Sequence, residues 1–112
     1  MEVTREKHGD SVLLVIAGQI DMYSSPELRA ELTAALESGS KRLVLDMEKV
    51  EFIDSSGLAT LIEVLQKLRG SEGKLRLSNL SSGVLAVFEL SNLDQLFDIR
   101  ATREEALQDD PA

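Results

Sequence analysis

Residues 52 to 58, "FIDSSGL", place two adjacent hydroxyls between an acid and a glycine, where an apolar run breaks off and a new one begins at Leu58. Such a quartet can do two things. Asp54 or Ser55 can cap a following helix by accepting from its first free N–H groups, with Gly57 allowing close packing. A serine at a helix start can also carry a phosphate, because the positive end of the helix dipole tolerates negative charge there. Spacing alone leaves cap and phosphoacceptor both open. A nucleophilic role for Ser55 or Ser56 would need a base, and His8, the only imidazole, stands beside Gly9-Asp10 in an expected turn. The hydrolase elbow Gly-x-Ser-x-Gly is not met either, since Ile53 holds its first position.

Other chemistries find little support. Without cysteine there are no disulfides or thiolate metal sites, and one histidine cannot build a multi-histidine centre. Asp21, Asp46 and Asp54 stand at expected strand ends and could gather a hard cation, although acids in such places more often cap the next element. Neither glycine-rich nucleotide motif occurs, and Tyr23, Phe52, Phe88 and Phe97 are too scattered to form a base-stacking platform. No cofactor is called for. A net charge of −8 repels nucleic acid and suits a protein partner with a basic contact surface, while also serving solubility. The longest apolar run, Val12 to Ala17, has strand length rather than membrane length, and the polar N-terminus is unlike a signal peptide. A cytoplasmic location is expected.

The elements that must position the quartet follow from periodicity. "HGD" joins strands over 2–7 and 11–17, and the unbroken apolar run of the second predicts a strand covered on both faces. Gly18 to Asp21 leave that strand. "SSPEL" opens a helix, with Pro26 in its first turn and Ser24 in capping-box spacing to Glu27; its stripe is Leu28, Leu32, Ala35 and Leu36, and Gly39 ends it. A strand over 42–47, a turn at Glu48-Lys49 and an extended piece over 50–53 lead into "DSSG". Leu58, Leu61, Ile62, Leu65 and Leu68 are then helical, with Gly70 and Gly73 at the exit. A strand over 75–78, a helix from Ser81 or Ser82, a strand near 97–99 and a helix opening at Thr102 complete the order. The hairpin followed by alternating helices and strands predicts one α/β domain over 1–112, with a mixed, mostly parallel sheet, about four helices and a frayed tail at 108–112.

"GQIDMYSSPEL", "FIDSSGL" and the "L-x-N-L-D-x-L-F-x-I" run ending at Ile99 resemble the STAS domains of bacterial anti-sigma factor antagonists. The resemblance implies a non-enzymatic partner switch. The unphosphorylated antagonist binds an anti-sigma factor that is also a serine kinase; phosphorylation ends the association, and a phosphoserine phosphatase resets it. It implies Ser55 as the phosphoacceptor, with Asp21, Asp54, Ser55, Ser56, Gly57 and Leu58 at the partner surface. It also admits a small cytoplasmic subunit of a lipid-transport ATPase, or a stress-complex scaffold.

Overall fold

The computed structural model describes residues 1–108, so the expected frayed tail lies, beyond Gln108, outside the described residues. Strands β1 (Glu2–His8) and β2 (Ser11–Ile20) form the antiparallel hairpin. Helix α1 (Ser25–Glu37), strand β3 (Arg42–Ile53), helix α2 (Ser55–Gly70), strand β4 (Lys74–Ser78), helix α3 (Ser82–Leu90), strand β5 (Asp98–Arg100) and helix α4 (Arg103–Leu107) follow, with a 3₁₀ turn at Leu93–Gln95. The sheet order is β1-β2-β3-β4-β5, parallel from β2 onward.

That order dictates where the helices lie. Each crossover from β2 to β5 advances one strand in the same direction, so right-handed connections put α1, α2 and α3 on a single face. The main core sits between that face and the helices. Leu14, Ile16, Leu43, Leu45 and Leu77 from the strands meet Leu28, Leu32, Leu61, Val64, Leu68 and Phe88 from the helices. Phe88 and Phe97 close one end edge to face, with centroids 5.5 Å apart. The reverse face is thinner: Leu13 and Val44 are covered by Ala106 of α4. Both faces of β2 are therefore buried, as its unbroken apolar run predicts.

Strand β3 departs from expectation. Glu48 and Lys49 do not form a turn but lie within one continuous twelve-residue strand. Val15 faces Asp46 while Ala17 faces Lys49, and Gly18 faces Val50 while Gln19 faces Phe52. At each step β3 carries one residue more than β2, so the polar pair is absorbed by bulging. The Glu48 N–H donates to Asp46 Oδ1 at 3.0 Å, which stabilises the first bulge from within. β2 also runs on to Ile20, three residues beyond its expected end. The two strands thus reach the mouth of α2 side by side.

Candidate functional site

The site forms where β2 and β3 end. The Asp54 N–H donates to Ile20 O at 3.0 Å, tying the exit of β3 to that of β2. Asp54 then turns into an extended conformation and caps α2: its Oδ1 accepts from Ser56 N at 2.9 Å and Gly57 N at 3.1 Å. Gly57 is required for this approach. A Cβ built there would stand 2.6 Å from Ile20 Cγ2 and 2.8 Å from Ile53 Cγ1, closer than carbon atoms tolerate. The first turn of α2 is thereby seated directly on the ends of the two strands.

The two hydroxyls have different surroundings. Ser56 Oγ donates to Asp54 Oδ1 at 2.6 Å, which holds it within the first turn of α2, and it packs 3.1 Å from Ser25 Oγ at the start of α1. Ser55, the first residue of the helix, is exposed and lies outside this set of bonds. The Asp54 carboxyl is held below its ordinary range, first by the Ser56 hydroxyl and then by the N–H groups of Gly57, Ser56 and Met22; partial burial works the other way. A charged carboxylate therefore stands immediately before the exposed serine.

The loop from β2 to α1 brings the second acid. Asp21 Oδ1 accepts from Tyr23 N at 3.0 Å and Ser24 N at 3.1 Å, a turn closed by its own side chain. Ser24 does not form the expected capping box. Its backbone is already helical and its Oγ donates to Gln19 O at 2.8 Å, while accepting from Asp21 N at 2.9 Å. The hydroxyl is spent on closing the loop, which leaves none for the first turn of α1. Ser25 Oγ donates to Asp21 O at 2.7 Å, which leaves its oxygen in contact with Ser56 Oγ.

Of the six residues expected at a partner surface, Asp21, Asp54 and Ser56 are partly exposed and Ser55 is exposed, whereas Gly57 and Leu58 are buried. Those last two support the surface from behind and cannot present side chains to a partner. Sequence reasoning missed Met22 and Tyr23, which are 66% and 86% exposed at the tip of the Asp21 loop. Their signal was present: two large side chains in a loop otherwise built of Asp and Ser. Phe52, half exposed, lies near the end of β3, two residues before Asp54. Beside the loop a shallow cleft of about 400 Å³ is lined by Asp21, Tyr23, Ser24 and Glu27, together with Met1 and Gln19.

The remaining candidates lie elsewhere. Asp46 is fully buried on the reverse face and bonded by Arg103 Nε at 2.7 Å, so the three strand-end acids do not gather. No group of three potential metal ligands occurs among the described residues. His8 pairs with Glu6 at the far end of the sheet, about 30 Å from Ser55 by the length of β2. Among the described residues no helix is long and apolar enough to cross a membrane.

Comparison with known proteins gives this arrangement a family. The STAS domain model matches residues 2–106. The anti-sigma-B factor antagonist of Bacillus subtilis is 31% identical over 108 residues, covering 96% of this chain and 98% of that protein. An anti-sigma factor antagonist from Mycobacterium paratuberculosis superposes with a TM-score of 0.87 at 28% identity, over 95% of this chain and 90% of its own. The phosphorylated form of the Bacillus cell fate determinant SpoIIAA superposes at 0.73 with 26% identity, over 95% and 96% of the two chains. With its sheet order, its capped second helix and this family match, the chain belongs to the STAS domain family.

Proposed function

We propose that this chain is an anti-sigma factor antagonist whose binding is switched by phosphorylation of Ser55. The unphosphorylated form engages an anti-sigma factor with serine kinase activity; the kinase phosphorylates Ser55 and the association ends; a phosphoserine phosphatase restores it. The observation that carries this reading is the contrast between the two serines. Ser56 is bonded to the Asp54 carboxylate and half-buried beside Ser25, while Ser55 is exposed at the first position of α2 with the capping work already done by Asp54. Ser55 therefore accepts a phosphate at no cost in existing bonds.

The surroundings fit a switch at a protein interface. Met22 and Tyr23 supply exposed apolar area of the kind that anchors partners, and the carboxylates of Asp21 and Glu27 line a cleft suited to a basic side chain. A phosphate among those carboxylates would meet like charges and, in a closed interface, lose its water without gaining a counter-ion. Association fails while the fold stands.

Incubation with candidate anti-sigma kinases and ATP, read by intact mass and site mapping, should give a single phosphate on Ser55 and none on Ser55→Ala. Ser55→Ala should still bind the anti-sigma factor, whereas Ser55→Asp should bind at least tenfold more weakly, a loss of about 1.4 kcal/mol or more, with an unchanged circular dichroism spectrum. Phosphate on Ser56 alone, or an unfolded Ser55→Asp protein, would end this account.

A further inference from the structure

A cavity lies at the pole opposite Ser55. It opens between the β1–β2 turn and the link from α1 to β3, and measures about 590 Å³. Arg5, Lys7 and Lys41 line it, against a single acid, Asp10. Three cations around one cavity are unexpected in a chain with twenty acids and twelve bases.

Their placement is specific. Arg5 and Lys7 pair with Leu14 and Val12, which puts them on the core-side face of β1 together with Val3. Inward-pointing charge on an edge strand does deter strand-to-strand association. That role needs no third cation on the opposite wall, yet Lys41 stands there, its carbonyl anchored by Lys74 N at 2.7 Å. Nor is Arg5 placed like the other arginines. Arg29 bonds Glu63, Arg42 bonds Ser11, Arg69 bonds Leu96 O, Arg76 and Arg100 bond Asp98, and Arg103 bonds Asp46. Among the described arginines, Arg5 alone bonds no protein acceptor.

The backbone carbonyls nearest these cations are already occupied. At the end of α1, Ser38 N, Ser38 Oγ and Gly39 N satisfy the carbonyls of Ala34, Ala35 and Leu36. Ser40 Oγ donates to Asp10 O at 2.9 Å, which joins the two walls. What remains is a cavity with a local balance of two positive charges and an apolar patch at Val12. Its volume is that of a small-molecule site and exceeds what an inorganic anion would fill.

We propose that this cavity binds a phosphorylated small molecule carrying at least two negative charges, with Arg5 and Lys41 gripping the anionic groups from opposite walls. This assignment is independent of the switch at Ser55. Fructose 1,6-bisphosphate titrated into ¹⁵N-labelled full-length protein, with sulfate at matched ionic strength as the control, provides the test. Saturable shifts confined to amides 9–10 and 39–41 are expected, with affinity lowered about tenfold or more in Arg5→Gln/Lys41→Gln and unchanged in Lys67→Gln. All three positions are exposed, so the variants should fold, as circular dichroism would verify. Absence of saturation at millimolar ligand, equal response to sulfate, or undiminished binding by the double variant would overturn the proposal.

Discussion

Asp54 carries two duties that substitution can separate. As a cap it satisfies two N–H groups of α2, and as a carboxylate it does so with charge. Asp54→Ala should lose about 1 kcal/mol at pH 7, read by urea unfolding. The folded carboxyl is held below its ordinary range, so the charged contribution is complete above the unfolded carboxylate value near 4 and fades as pH falls through the folded one. The gap between wild type and variant should therefore narrow at pH 3; a gap of undiminished size there would mean that shape rather than charge stabilises the cap. Three residues on, Gly57→Ala forces a methyl against Ile20 and Ile53 and should cost about 1–3 kcal/mol by the same measurement. A Gly57→Ala protein as stable as wild type would show that the first turn of α2 can lift away from the strands. These neighbours explain why Ser55 is available: the donors that a phosphate would seek on Ser56 and Gly57 already belong to Asp54, so a phosphate on Ser55 would face outward.

At the scale of elements, the reverse face depends on α4, a helix of five residues. Thr102 Oγ1 caps it by accepting from Glu105 N at 3.2 Å, and Glu105 Oε2 in turn accepts from Ala101 N at 3.3 Å. So short a helix has no stability of its own. Arginines hold it in place. Arg76, 1% exposed, donates to Ala106 O at 3.1 Å and Gln108 O at 2.6 Å, while Arg103 reaches the fully buried Asp46. Arg103→Met should cost about 3 kcal/mol because it leaves a buried carboxylate without its counter-ion. Adding Asp46→Leu should recover part of that loss, and a double-mutant cycle measures the coupling; purely additive losses would show that the pair is not coupled. The start of α4 at Thr102 is legible in the sequence, but its anchoring is not, since Asp46 and Arg103 are 57 residues apart and nothing local marks a buried ion pair. What could be read were the features set by neighbours in sequence: the apolar run of β2, the periodicity of Leu58 to Leu68, and the turn chemistry of "HGD". Glu48-Lys49 misled because a polar pair between apolar runs signals a turn equally well as a bulge, and only the partner strand decides. Ser24 misled in a similar way, since its capping-box spacing was intact but Gln19 O claimed the hydroxyl. Gly57 and Leu58 are buried, and a sequence motif does not distinguish exposed residues from those that hold them up.

Over the whole molecule, charge separates two ways in which the proposed switch could work. The chain carries −8, and a phosphate would take it to about −10. Toward a partner with a basic contact surface, more negative charge draws the molecules together faster, so the long-range field by itself would favour the phosphorylated form. Inhibition must then arise at short range, where the phosphate meets Asp21 and Asp54 and is stripped of water. Two kinetic outcomes follow. Raising salt from low to physiological ionic strength should slow association of the unphosphorylated protein with its anti-sigma factor, as the screening length contracts to about 8 Å, and leave dissociation nearly unchanged. Phosphorylated protein, or Ser55→Asp, should associate at a rate within about threefold of the unmodified chain and owe its weaker binding to faster dissociation. Surface plasmon resonance at two salt concentrations resolves both rates. A collapse of the association rate on phosphorylation, with dissociation untouched, would place the repulsion at long range and require a partner whose contact surface is acidic.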